Sequence, residues 1–228
     1  MTILIINGSP RKNGATAIIL HTMEKHLLQK ENVFVEFVDI SDLEMAPCRG
    51  CCSCYKTGQC YMNDDAEKLS DKIGAADGLI IGSPTYASNV SGQLKQFIDR
   101  GHFVIEQLLH NKYAISVVTG ENYGSSDTSK VLTKLLKYSG ATLSGKITYN
   151  LPFNENPSGN QRLIKKIDCL TDKIYNDIKQ RKKYLLQYMI HKAVFTVGIK
   201  PFVIRKRESY KGVLARWENI GIKMHKLE

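Results

Sequence analysis

The chain has 228 residues, 43% hydrophobic and 24% charged. This is enough for one sizeable globular core with an appendage, and it excludes a disordered or low-complexity chain. The net charge of +10 is unevenly placed: residues 1–178 hold 19 basic and 19 acidic side chains, whereas residues 179–228 hold 13 and 3. A uniformly basic surface is thereby excluded, and the whole excess belongs to the C-terminal segment.

Met1-Thr-Ile-Leu-Ile-Ile6 has no basic stretch before it and is too short for a signal peptide. It reads as a buried parallel strand, and the chain is expected to be cytoplasmic with reduced thiols. A turn at Asn7-Gly-Ser-Pro10 precedes helical spacing through Ile18, Ile19, Met23, Leu27 and Leu28. Val33, Val35 and Phe37 mark a second strand closed by Asp39, and a cysteine-rich loop follows. Asp64-Asp65 opens a helix over Leu69 and Ile73, with acids at the favoured N-terminal end. Gly78-Leu-Ile-Ile-Gly82 is the third strand, followed by a helix through Leu94, Phe97 and Ile98. The fourth strand is Tyr113–Thr119, and the next helix covers Val131, Leu132, Leu135 and Leu136. A fifth strand spans 141–149 and a last core helix 160–182.

Alternation of strand and helix predicts an α/β three-layer sandwich. Its five-stranded parallel sheet is flavodoxin-like, with ligands at the carboxyl ends of the strands. The expected organisation is a domain over 1–182 and a basic extension over 183–228. Aromatic and aliphatic residues interleaved through that extension, from Leu185 to Trp217, favour docked structure over a free nucleic-acid-binding arm. His191, Lys192 and Lys200 interrupt its apolar part, which argues against a membrane span.

Three loops at the expected ligand edge carry chemistry. Gly8-Ser-Pro-Arg-Lys-Asn-Gly-Ala-Thr16 joins the first strand to the first helix, where backbone amides and the helix dipole suit an anion. Gly8 and Gly14 would allow close backbone approach, Ser9 and Thr16 offer hydroxyls, and Arg11 a fork of donors. The loop lacks the Gly-Lys-Ser/Thr ending of a Walker motif and the G-x-G-x-x-G of a dinucleotide site; a plain turn capped by Thr16 is the alternative. Gly82-Ser-Pro-Thr-Tyr-Ala-Ser-Asn-Val90 and Thr119-Gly-Glu-Asn-Tyr-Gly-Ser-Ser126 can supply the flat walls and fixed polar contacts that a planar heterocycle needs.

Cys48-Arg-Gly-Cys51-Cys52-Ser-Cys54-Tyr-Lys-Thr-Gly-Gln-Cys60 holds five of the six cysteines within thirteen residues. The C-x2-C-x2-C-x5-C spacing suits an iron–sulfur cluster, and Gly50 and Gly58 can bend the loop to present four thiolates. Zinc usually takes two separated pairs, and a metal-free redox-sensitive thiol loop is the third reading. Arg49 and Lys56 would lower thiol pKa values or offset a cluster's charge. Cys169, beside Ile167 and Leu170, is expected in the core. The six histidines show no paired ligand spacing.

Taken together, Gly8-Ser-Pro-Arg…Gly14-Ala-Thr16, the cysteine loop running into Asn63-Asp-Asp65, and Gly82-Ser-Pro-Thr-Tyr…Ser88-Asn-Val-Ser-Gly92 resemble the NAD(P)H-dependent FMN reductases of the flavodoxin-like superfamily. The branch with iron–sulfur flavoproteins and their cluster-free relatives is the most similar, over about residues 1–180. The resemblance implies that Ser9, Arg11, Asn13 and Thr16 hold the FMN phosphate, and that Pro84, Thr85, Tyr86, Ser88 and Asn89 line the isoalloxazine. Thr119, Gly120 and the turn through Gly124 would flank it. Cys48, Cys51, Cys54 and Cys60 would ligate a [4Fe-4S] cluster, leaving Cys52 without a counterpart.

The implied function is a flavin-dependent oxidoreductase in which the flavin carries the chemistry. It would be reduced by NAD(P)H and pass electrons to a small acceptor such as a quinone, free flavin or nitroaromatic. The alternative is an electron carrier that takes electrons from ferredoxin through its cluster. The resemblance also implies a homodimer or tetramer.

Overall fold

β1 (Thr2–Asn7) is apolar at successive positions because both of its faces are covered. Ile3 and Ile5 enter one core while Leu4 and Ile6 enter the other, as the two-residue period of a strand requires. It pairs with β2 (Phe34–Asp39) on one side and β3 (Gly78–Pro84) on the other, and β4 (Tyr113–Gly120) and β5 (Thr142–Asn150) continue outward. The computed structural model describes residues 1–223, and its sheet runs β2-β1-β3-β4-β5 with every pairing parallel. That is the flavodoxin-like order.

Along the chain the helices are α1 (Ala15–Leu27), a short α2 (Ser53–Thr57) in the cysteine loop, α3 (Asp65–Ala75), α4 (Gly92–Arg100), α5 (Ser125–Tyr138) and α6 (Gln161–Lys179). The C-terminal segment adds α7 (Leu185–Ala193), a π-helical stretch Val194–Ile199, α8 (Lys200–Arg205) and α9 (Lys211–Asn219). α1 and α6 cover the Ile3/Ile5 face through Ile19, Leu20, Met23, Leu163, Ile167 and Ile174. α3, α4 and α5 cover the other face through Leu69, Ile73, Leu94, Phe97, Leu132 and Leu136.

Local capping fixes where several helices begin. Asp64 accepts the Ala66 N–H at 3.1 Å, Ser91 the Leu94 N–H at 3.2 Å and Asn160 the Leu163 N–H at 3.0 Å, each satisfying an orphan first-turn donor. The expected acid-capped helix at Asp64-Asp65 is therefore present. Cys169 corrects its expectation: it is exposed. The buried stripe of α6 runs through Leu163, Ile167, Thr171 and Ile174, and two further residues at about 100° each carry the chain to the opposite side.

The C-terminal segment is not a free arm. Ile199, Val203, Val213 and Trp217 form a third buried cluster with Tyr55, Val104 and Ile105 packed against it. α7 turns polar groups inward: Gln187 bonds the backbone of Leu143 at 2.8 and 3.0 Å, and His191 meets Gln107 at 2.8 Å. Leu185, Leu186 and Met189 face outward. Among the described residues, no helix is long and apolar enough to cross a membrane.

Candidate functional site

The loops at the carboxyl ends of the strands are tied together through their backbones. Gly8 N–H donates to Gly82 O at 2.8 Å, Thr85 N–H to Thr119 O at 2.7 Å and Leu151 N–H to Gly120 O at 2.9 Å. The parallel sheet brings these loops to one edge, and the cross-links fix them around a cleft of about 520 Å³, within the usual size of cofactor pockets. Ser9, Arg11, Asn13, Thr16, Pro84, Thr85, Tyr86, Ser88, Thr119 and Gly120 all line it. Of the sequence-derived flavin-site residues, Asn89 and Gly124 lie outside the lining. Asn89 Oδ1 accepts the Val90 N–H at 2.8 Å, and Gly124, at φ +82°, packs against Ser88.

The phosphate-type loop differs in detail from its sequence reading. Its glycines serve the loop itself: a Cβ on Gly8 would lie 2.6 Å from Gly82 O, and one on Gly14 would lie 3.2 Å from Arg11 Cβ. The helix cap falls at Gly14 with no side-chain hydrogen bond, so Thr16 is not the cap. Thr16 Oγ1 instead lies 2.7 Å from Thr119 Oγ1. The first-turn amides of α1 are thus left without a side-chain cap, as an anion site requires. Arg11 reaches across the cleft, donating to Asn154 Oδ1 at 2.8 Å with its guanidinium 4.7 Å from the Phe153 ring centroid.

Next to it, Tyr86 and Asn89 exchange backbone hydrogen bonds of 2.9 and 3.0 Å around Ala87 (φ 48°) and Ser88 (φ 60°). Positive φ at both central residues defines a type I′ turn. Neither residue is glycine, which is the kind of local strain that ligand clamps retain. Thr85 Oγ1 is buried without a partner among the described residues, so a polar atom of a ligand can satisfy it. The cleft therefore fits an anionic, planar cofactor such as FMN. The lining also includes a fourth loop, Leu151–Asn156, beyond the three expected from the sequence. Its polar Asn154-Glu155-Asn156 run at the end of the fifth strand was the available signal.

A second cavity, of about 290 Å³, is lined by Cys48, Cys51, Cys52, Cys54 and Cys60 together with Arg49, Arg100, His102 and Glu106. All six cysteines are free. Cys52 adopts φ 58° and Gly58 φ 87°, the two bends that turn the loop around α2. Arg100, its side chain buried, pairs with Asp64 and donates to Cys60 Sγ at 3.3 Å and Ala46 O at 3.0 Å. Burial would raise the Asp64 carboxyl, but the Arg100 guanidinium and the Ala46 and Ala66 N–H groups that donate to it outweigh burial and hold it below the usual range. Lys56 is absent from the lining, and Arg100 supplies the guanidinium beside a thiol.

Behind the thiols, His102 lies 2.6 Å from Glu106 and 2.9 Å from Glu67. Burial opposes its charge, but the two carboxylates raise its pKa to about 9. Burial and Glu106 push the Cys54 thiol up to about 12, opposite to the expected lowering by neighbouring bases. The ligating atoms of Cys54, His102 and Glu106 converge to within 4.8 Å of one another. Sequence spacing did not flag this trio, because His102 and Glu106 belong to an irregular stretch.

A tetrahedral zinc with Zn–S bonds near 2.3 Å keeps its sulfurs roughly 4 Å apart. Among the described residues, four cysteines do not form such a set. Five thiols lining one cavity are a donor set of the kind that a multi-iron cluster takes.

This fold, with its flavin-sized cleft at the carboxyl ends of the strands, defines a flavodoxin-like flavoprotein. The sequence description of NADPH-dependent FMN reductases matches residues 1–156, and the chain belongs to that family of FMN oxidoreductases. It is 36% identical to an iron–sulfur flavoprotein of Clostridioides difficile (strain 630) over 225 residues, covering 97% of this chain and 100% of that protein. The similarity therefore runs through the C-terminal segment. An iron–sulfur flavoprotein of Methanosarcina thermophila is 32% identical over 195 residues, 80% of this chain and all of that one. In fold, the apo form of an NADH:FMN oxidoreductase aligns at TM-score 0.59 with 21% identity, covering 76% of this chain and 87% of the other.

Proposed function

We propose that the chain is an FMN-dependent oxidoreductase that takes electrons from NAD(P)H and delivers them to a small acceptor such as a quinone, free flavin or nitroaromatic. The observation that carries this reading is the cleft, with its uncapped helix α1, the Thr85 hydroxyl without a partner and the rigid Tyr86–Asn89 turn. When bound, FMN supplies the hydride and electron chemistry. The protein's part is binding and orientation. Ser9, Asn13, Thr16 and the first amides of α1 would hold the phosphate, with Arg11 adding charge. Pro84, Thr85, Tyr86, Ser88, Thr119 and Gly120 would line the isoalloxazine, and Asn89 and Gly124 would brace that wall from behind.

A second reading rests on the thiol-lined cavity and on similarity along the whole length of a protein named an iron–sulfur flavoprotein. In it, Cys48, Cys51, Cys54 and Cys60 ligate a [4Fe-4S] cluster, and the chain carries electrons from ferredoxin to FMN. The deciding experiment is an anaerobic absorption spectrum with iron and sulfide analysis, followed by NADH, NADPH or reduced ferredoxin. Bleaching of the flavin by a nicotinamide supports the enzyme. About four irons per chain with reduction only by ferredoxin favours the carrier, and no flavin after adding FMN removes both.

A further inference from the structure

The C-terminal segment meets the rest of the chain at the cysteine loop. α9 lies on α2 so closely that a Cβ on Gly212 would be 2.0 Å from Gly58 N and 2.7 Å from the Thr57 carbonyl carbon. Gly58 ends α2 two residues before Cys60, in a left-handed conformation. Tyr210 stacks on Tyr55 with centroids 5.1 Å apart and planes 17° apart. Trp217, fully buried, donates its indole N–H to Ile105 O at 3.0 Å, and Arg216 donates to Glu106 Oε2 at 2.9 Å. No described residue of this segment lines the FMN-type cleft.

Glu106 makes that last contact important. Its carboxylate is buried and converges with the Cys54 sulfur. A buried negative charge beside thiolates would oppose a cluster with four anionic ligands. Among the described residues, two basic side chains face Glu106: His102 from its own stretch and Arg216 from α9. Glu67 bonds the far side of His102, which leaves Arg216 as the cation on Glu106 not shared with another carboxylate. The tail thus adds its own neutralising charge behind a wall that already holds Arg100 and His102.

We propose that residues 199–219 act as a strap that sets the cysteine loop, with Gly212 and Trp217 holding its shape and Arg216 serving as a positioning residue that neutralises Glu106 behind Cys54. This rests on the reading of the loop as a cluster site. The strap gives the basic extension a role at the thiols, separate from any nucleic acid.

The test compares the full-length chain with Arg216→Gln, Arg216→Lys, Gly212→Ala and Trp217→Ala after anaerobic reconstitution with iron and sulfide. FMN titration serves as the fold control, because the cleft is remote from the strap in its lining. The expected result is unchanged FMN affinity in all variants. Iron per chain should drop at least twofold in Gly212→Ala and Trp217→Ala. Arg216→Gln should show a more negative cluster potential, restored by Arg216→Lys.

Wild-type iron content and potential in every variant would overturn the strap while leaving the cluster reading intact. A wild-type chain that takes up no iron removes the cluster reading instead. The strap is then decided by mapped maleimide labelling of Cys54 in the metal-free chain. Labelling should be faster in Gly212→Ala and Trp217→Ala than in wild type, and equal rates would overturn it.

Discussion

The Thr16 and Thr119 hydroxyls are 2.7 Å apart beneath the cleft, one in the first turn of α1 and the other near the end of β4. Both residues are nearly buried at the cleft wall, so each hydroxyl depends mainly on the other. Thr16→Val would leave the Thr119 hydroxyl unpaired, at about 1–3 kcal/mol. It would also remove a donor from the expected phosphate position. The outcome expected is a loss of FMN affinity of roughly tenfold or more, read by quenching of flavin fluorescence. Unchanged affinity would place the phosphate elsewhere.

Gly124 has φ +82°, and an added Cβ would lie 2.6 Å from Ser88 Oγ and 2.9 Å from Ser88 Cα. Gly124→Ala should therefore displace the strained Tyr86–Asn89 turn. The left-handed conformation alone costs a residue with a side chain about 1–2 kcal/mol. Thermal unfolding should show that loss, and FMN titration should show weaker binding than in a control with Gly74→Ala, where a Cβ meets nothing within 4 Å.

Asp64 does two tasks, capping α3 and pairing with the buried Arg100 guanidinium. Asn also caps well, so Asp64→Asn isolates the charge. Removing one partner of a buried pair costs about 3–5 kcal/mol; some of this is reduced here because Asp64 is at the edge of the buried region. Denaturant unfolding at neutral pH should show a large loss. Because the folded carboxyl titrates below its usual range, its contribution is present above the unfolded value and fades as pH falls through the folded one. The variant's deficit should shrink in acid, and a deficit constant with pH would refute the pairing argument.

Tyr184 donates to both oxygens of the buried Asp177, at 2.9 and 3.0 Å, and so joins the end of α6 to the start of α7. Tyr184→Phe should destabilise the chain by about 1–3 kcal/mol through the unpaired carboxylate. Burial and Asp177 raise the phenol to about 12. That stabilisation is complete below the unfolded tyrosine value near 10 and is lost as pH rises through about 12. Limited proteolysis near residues 180–184 should accelerate in the variant at neutral pH, and in wild type only under strong alkali.

Much of this protein was legible in order along the chain. The strand–helix alternation, the Asp64 cap and the loops after the first, third and fourth strands depend on local periodicity and turn chemistry, which act over a few residues. The five crowded cysteines, too, announced a thiol site. Cys169 is the exception, because Ile167 and Leu170 flank it in sequence while the helical turn puts it on the exposed side of α6.

What only the tertiary structure decided involves residues distant in sequence. Arg11 meets Asn154, Arg100 meets Cys60 and Arg216 meets Glu106, contacts that no spacing rule connects. The basic tail shows the limit most clearly. Composition placed the charge there and argued for a docked segment. Where it docks follows from Gly212 fitting against Gly58 and Trp217 filling a pocket beside Ile105, because close packing depends on shapes that exist only after the chain has folded.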